Sequence, residues 1–199
     1  MAQNQNHGKM GLIVLKSCKQ LGTEVDQFIR QLRNDDSDES YIIPIEEVRF
    51  SNGEGKVKIK DSVRGRDIYI LCDIGNYSCT YNLFGYENHM SPDDHFRDIK
   101  CVLSAIGGKA SRVTVLMPLL YSSRQHKRKG RESLDCAVAL QELVNMGVEN
   151  IITFDAHDAR VQNAIPLSSF ENIMPTYQFL KAMCRTIEDF NIDKEKLMI

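Results

Sequence analysis

Two short apolar runs, residues 113–117 and 151–154, each end in a cluster of polar side chains, and the segment between them, 134–146, carries apolar residues at helical spacing. A strand, a helix and a second near-continuous apolar strand constrain this chain more than any other pattern in it. The helix must cross over a sheet and return the chain parallel, so both faces of that sheet are buried. The polar clusters then fall at the carboxyl edge of a parallel sheet, where loops diverge and ligands bind.

The same alternation runs through the rest of the chain. Residues 11–15 read as a buried strand, and Leu21, Val25, Phe28, Ile29 and Leu32 repeat at helical spacing after it. Residues 34–40 are an acidic surface loop. Residues 41–50 read as a second strand, which Pro44 places at an edge or a bend. A turn at 50–55 leads into the alternating, half-buried strand 56–60, another turn at 62–65, and a buried strand at 67–71. Nothing periodic occupies 76–90, which reads as a long loop. Ser91-Pro92 opens a helix whose inner stripe is Ile99, Val102, Leu103 and Ile106, closed by Gly107-Gly108. The helix that begins at Glu132 or Ser133 should turn Leu134, Val138, Leu140, Leu143 and Val144 inward. A last amphipathic helix is expected over 175–190, with a further strand beginning in 193–199. The result is an α/β three-layer sandwich around a mainly parallel sheet, one domain over 10–199 behind a disordered tail at 1–9.

A net charge of -2 excludes a surface built throughout for nucleic acid, so any anion site must be local. The six cysteines are scattered without metal-ligand spacing, no segment has the pattern of a secretion signal, and no run is long enough to span a membrane. Reduced, mostly buried thiols in a cytoplasmic protein are the expectation.

The local anion site falls in the loop Tyr121-Ser-Ser-Arg-Gln-His-Lys-Arg-Lys-Gly-Arg131. Arg124 offers a planar fork to two phosphate oxygens and Gln125 can read a base edge or a sugar hydroxyl. Lys127, Arg128, Lys129 and Arg131 add charge, and Gly130 adds freedom to close over a polyphosphate. A solvated basic surface loop has the same composition, and both readings stand. At the end of the next strand, His157 could bind a metal or orient a phosphate, with Asp155 fixing its tautomer; alternatively Asp155 or Asp158 caps a helix beside a surface histidine. Phe50, Asn52 and Glu54 could stack on and read an adenine, or form an ordinary polar turn. Ser62 and Arg64 could hold a phosphate, or again form a turn. His7, His89, His95 and His126 have no partner spacing and receive no role.

Arg49-Phe-Ser-Asn-Gly-Glu54, Asp61-Ser-Val-Arg-Gly-Arg-Asp-Ile-Tyr-Ile70, Ser111-Arg-Val-Thr-Val, Tyr121-Ser-Ser-Arg-Gln-His-Lys-Arg-Lys and Ile151-Ile-Thr-Phe-Asp-Ala-His157 occur in one order that resembles the ribose-phosphate pyrophosphokinases (phosphoribosyl pyrophosphate synthetases). The resemblance implies phosphoribosyltransferase-like domains and transfer of pyrophosphate from Mg-ATP to ribose 5-phosphate, giving phosphoribosyl pyrophosphate and AMP. It implies that Phe50, Asn52 and Glu54 hold adenine and ribose, that Arg124 and Gln125 contact the nucleotide and its phosphates, and that His157 ligates Mg2+. It also places Ser62 and Arg64 in the region that binds an allosteric phosphate or ADP, and implies a homo-oligomer, dimer or hexamer, with the ATP site built between subunits. His126 and Lys129 stand where the family's loop is acidic, the loop is one residue shorter, and 76–90 is longer than in the family. The second metal-binding Asp, the flexible catalytic segment and the ribose 5-phosphate loop belong to a second half of the family's chains. This stretch is therefore expected to be an N-terminal domain, inactive alone, with a non-catalytic associated subunit of a synthetase as the alternative.

Overall fold

The computed structural model describes residues 8–34 and 39–187. The expected tail at 1–9 lies largely outside them, as do most of the acidic loop and the expected strand at 193–199. Five parallel strands form the central sheet in the order β1 (Met10–Val14), β4 (Asp67–Leu71), β7 (Arg112–Met117), β8 (Asn150–Phe154), β9 (Ser169–Ile173). The helices are α1 (Lys19–Leu32), α2 (Pro92–Ile106), α3 (Asp135–Asn145) and α4 (Thr176–Thr186). Two antiparallel hairpins stand apart from the sheet: β2 (Ile45–Arg49) with β3 (Gly55–Ile59), and β5 (Thr80–Leu83) with β6 (Tyr86–His89).

The near-continuous apolar strands are buried as their composition requires. Ile13, Ile68, Ile70, Val115 and Ile151 are fully inaccessible and pack with Ile99, Val102, Leu140 and Leu143 of α2 and α3. The capping box of α2 forms as its sequence demands: the Ser91 hydroxyl accepts from the Asp94 N–H at 3.2 Å, and the Asp94 carboxylate accepts from the Ser91 N–H at 2.9 Å. The helix ends on Gly107 in the left-handed conformation at φ 58°. Across β4 and β7, Arg112 clamps both oxygens of Asp67.

Several expectations change. The run 41–50 is not one strand: it breaks at Pro44, which cannot donate to a ladder. Residues before Pro44 lie parallel to β1 through a Leu12–Ile42 bridge, and those after it form β2. The Asp26 carboxylate holds this crossing by accepting from the Tyr41 N–H at 2.7 Å and the Ser40 hydroxyl at 3.0 Å. Residues 76–90 contain a hairpin, not a bare loop. Phe170 and its neighbours form β9, an edge strand with no apolar run to announce it. Val138 of α3 is 60% exposed rather than inward, and Phe28 and Leu32 of α1 are exposed at 60% and 67%. Of the expected helix at 175–190, residues 188–190 lie outside the described ones. Five cysteines are buried and free, while Cys184 on α4 is exposed. No helix among the described residues is long and apolar enough to cross a membrane.

Candidate functional site

Because β7 and β8 are neighbours and parallel, the loops that follow them open at one end of the sheet. The loop after β7 turns sharply at Ser122, at φ 52°, and is tied down by short links: the Gln125 N–H donates to the Ser122 carbonyl at 2.9 Å, and its side-chain amide to the Ser133 carbonyl at 2.7 Å. Gln125 is thus partly committed to shaping the loop. Arg124 is exposed, as are Lys127, Arg128, Lys129 and Arg131. After β8, Asp155 takes φ 45° and its N–H donates to the Ile173 carbonyl of β9 at 3.1 Å, which turns the chain outward into His157.

The two loops meet through a residue to which the sequence assigned nothing. The rings of His126 and His157 lie edge to face with centroids 5.0 Å apart. His126 Nε2 stands 3.4 Å from the Asp158 carboxylate, and its Nδ1 lies 3.2 Å from the Ser123 carbonyl. Asp158 is therefore the acidic partner of His126, and no hydrogen bond or ion pair joins Asp155 to His157 among the described residues. It also caps the 3-10 turn Ala159–Ala164 by accepting from the Arg160 N–H, which is the capping alternative the sequence left open. The Arg160 guanidinium holds the Asp158 carboxyl well below the usual carboxylate range. No spacing rule links residue 126 to 158; only the pairing of β7 with β8 does.

The turn between β2 and β3 is built equally firmly. The Phe50 N–H donates to the Glu54 carbonyl at 2.8 Å, and the Asn52 side-chain oxygen accepts from the Glu54 N–H at 3.1 Å, so Asn52 shapes the turn as well as lining it. Gly53, at φ 91°, takes the position that a side chain would strain. Phe50 remains 47% exposed and Glu54 exposed. Arg49 anchors the turn from below, donating to the Gly53 carbonyl at 3.1 Å and to Asp98 at 2.7 Å, with Asp94 3.6 Å away. Burial raises the Asp98 pKa, and the charges of Arg49 and His95 oppose that rise.

These residues fall in three places. Arg124, Gln125 and His157 come together at the carboxyl ends of β7 and β8. Phe50, Asn52 and Glu54 share the β2–β3 turn, and no hydrogen bond or ion pair joins that turn to the basic loop among the described residues. Ser62 and Arg64 lie in the exposed turn before β4, at the opposite end of the sheet, with the Arg64 N–H 3.4 Å from the Ser62 hydroxyl. A further cavity of about 460 Å³ opens between the carboxyl ends of β1 and β4, lined by Lys16, Ser17, Lys19, Asp73, Asn76 and Pro118. The chain reverses direction across the sheet there, which is where open α/β sheets form crevices. None of the sequence-predicted residues lines it.

Fit to a divalent cation can be judged from the donor set. No group of three or more His, Cys, Asp or Glu able to hold a metal ion occurs among the described residues. His157 is exposed and offers a single imidazole. That suits Mg2+ only in the form in which it most often binds, carried by phosphates and water with few protein ligands.

Residues 10–147 match the family described as the N-terminal domain of ribose phosphate pyrophosphokinase. Ribose-phosphate pyrophosphokinase 1 of Schizosaccharomyces pombe is 35% identical over 116 residues, 57% of this chain and 25% of the relative. The Vibrio cholerae ribose-phosphate pyrophosphokinase is 27% identical over 146 residues, 71% of this chain and 41% of the relative. The crystal structure of phosphoribosylpyrophosphate synthetase from Mycobacterium smegmatis superposes with a TM-score of 0.71 at 18% identity, over 89% of this chain and 52% of that one. The chain thus spans less than half the length of these curated relatives.

Proposed function

The chain belongs to the ribose-phosphate pyrophosphokinase family through the family's N-terminal domain, and from that premise we propose that it binds ATP for transfer of a pyrophosphoryl group to the C1 hydroxyl of ribose 5-phosphate in the cytoplasm. Arg124 and Gln125 engage the phosphates and the nucleotide, and His157 holds Mg2+ beside them. Phe50, Asn52 and Glu54 take the adenine and ribose. The observation that carries this reading is the meeting of the basic loop and His157 at one strand edge, locked by the contacts of His126.

The division of labour follows from the chemistry. Pyrophosphoryl transfer demands little beyond alignment of the attacking hydroxyl and dispersal of phosphate charge. Bound Mg2+ supplies neutralisation of that charge. Arg124, exposed and planar, supplies a bidentate contact that a lysine cannot reproduce. The separation of the 50–54 turn from the basic loop within one chain supports a site completed by a second copy, as a dimer or hexamer provides. Ser62 and Arg64, at the far end of the sheet, suit a phosphate effector acting away from the chemistry. The test is calorimetric titration of the chain with ATP, with and without Mg2+, for wild type, Arg124→Ala and His157→Ala. Mg-dependent affinity should fall for His157→Ala more than Mg-free affinity does, and equal losses would remove its metal role.

A second reading, a non-catalytic associated subunit of a synthetase, is favoured by His126 and Lys129 in the loop where the family resemblance implies acidic residues. Adding the chain to an active synthetase would then change the partner's rate without the chain binding ATP itself.

A further inference from the structure

The β5–β6 hairpin lies within 76–90, the segment expected to be longer here than in the family, and it is not loosely attached. At its base the Lys16 ammonium donates to the Thr80 carbonyl at 3.2 Å, and Tyr77 stacks on His89 with ring centroids 4.1 Å apart. Along its length the Tyr81 ring lies under the Arg49 guanidinium, 5.3 Å from the centroid. A Cβ added to Gly53 would come within 3.4 Å of Leu83 and 3.6 Å of the Tyr81 hydroxyl, so the hairpin packs directly on the 50–54 turn. At the tip, the Phe84 N–H donates to the Ser51 carbonyl at 2.8 Å.

That tip is built against its local preference. Leu83 pairs with Tyr86, leaving Phe84 and Gly85 as a two-residue connection with φ 48° and 92°. Both values are positive, as in the turn that favours Asn-Gly. Gly85 suits its place, and its N–H donates to the Asn82 side chain at 2.7 Å. Phe84 does not suit its own: a bulky aromatic in the left-handed region is strained, and at 71% exposed its ring recovers little by burial. Strain held beside a candidate site, with no gain in packing, points to a contact made by something else.

We propose that Phe84 is a specificity-determining residue whose ring forms an aromatic wall next to Phe50, Asn52 and Glu54 for the planar base of a nucleotide. This rests on the base-binding reading of the 50–54 turn. Phe50 supplies one aromatic surface, the Asn52 and Glu54 side chains supply polar recognition, and the β5–β6 hairpin supplies a second aromatic surface fixed through Ser51. The wall acts on the base and not on the phosphates.

Phe84→Asn tests it, because Asn-Gly is the preferred pair for this turn, so the substitution removes the ring while relieving the strain. Wild type, Phe84→Asn and Phe50→Ala are each titrated with ATP and with inorganic tripolyphosphate, and their melting temperatures are recorded. The expected result for Phe84→Asn is an unchanged or higher melting temperature, about tenfold weaker ATP binding of the size that base stacking gives, and unchanged tripolyphosphate binding. Unchanged ATP affinity in Phe84→Asn, with loss in Phe50→Ala, overturns the wall and leaves the base site standing. A parallel fall in melting temperature and affinity makes Phe84 a packing residue and overturns the wall as well. ATP binding that is absent in wild type, or indifferent to both substitutions, overturns the wall together with the reading beneath it.

Discussion

His126 Nε2 stands 3.4 Å from the Asp158 carboxylate, and together with the ring's contact to His157 this fastens the loop after β7 to the turn after β8. The Ser123 carbonyl can only accept, so the proton on the neutral imidazole sits on Nδ1. Removing the ring frees this loop, so hydrogen exchange in 121–131 should be faster in His126→Ala than in wild type at one pH. Equal exchange rates in the two proteins would show that the ring does not hold the loop.

Arg124 is exposed and its guanidinium makes no hydrogen bond or ion pair among the described residues, so its removal leaves the fold intact. Arg124→Ala should keep the wild-type melting temperature and weaken ATP binding about tenfold, the worth of roughly one charge-assisted contact. Arg124→Lys should recover only part of the loss, since an ammonium cannot form the planar fork. Full recovery by lysine would reduce the role to bulk charge.

The central sheet was legible because burial on both faces leaves a chemical trace: Ile68 to Leu71 and Val113 to Met117 have almost no polar residue to spare. The hairpin at 76–90 left no such trace. β5 is mostly half-buried and β6 mostly exposed, neither burying a full face, so Thr80-Tyr-Asn-Leu and Tyr86-Glu-Asn-His show no alternation, and the hairpin's turn hides behind a phenylalanine where Asn is usual. Pro44 signalled a bend, but nothing in the residues on either side says that the first half joins β1 and the second leaves the sheet. Gln125 and Asn52 were legible as polar loop residues, yet their bonds to Ser133 and Glu54 exist only in the folded loop. Val138 misleads because helical periodicity marks an apolar residue without saying which side of a short helix is covered.

Arg49 holds the 50–54 turn to α2 through a largely buried pair, its side chain 12% exposed and that of Asp98 9%. Arg49→Ala leaves Asp98 buried without a partner, a situation that costs on the order of 3 kcal/mol. The melting temperature should fall sharply at neutral pH. Adding Asp98→Asn should restore part of it, because the orphaned charge is then gone. Additive losses in the double variant would show that the two side chains act independently.

Glu47 ties β2 to the turn that leads into α1 by accepting from the Lys16 N–H at 2.8 Å, and burial pushes its carboxyl up from 4.5 to about 7. Between those two values the folded state binds the proton that the unfolded state releases. The stability this provides is complete below about pH 4.5 and is lost as the pH rises through 7. At about 1.4 kcal/mol per pH unit, and discounted for partial exposure, the loss is on the order of 1–3 kcal/mol. Glu47→Gln keeps a carbonyl to accept from Lys16 and cannot ionise. Denaturant melts of the two proteins should coincide below about pH 4.5, separate progressively in favour of the glutamine up to about pH 7 and run parallel above it, with curves that run parallel from pH 5 to 7 ruling Glu47 out as the source.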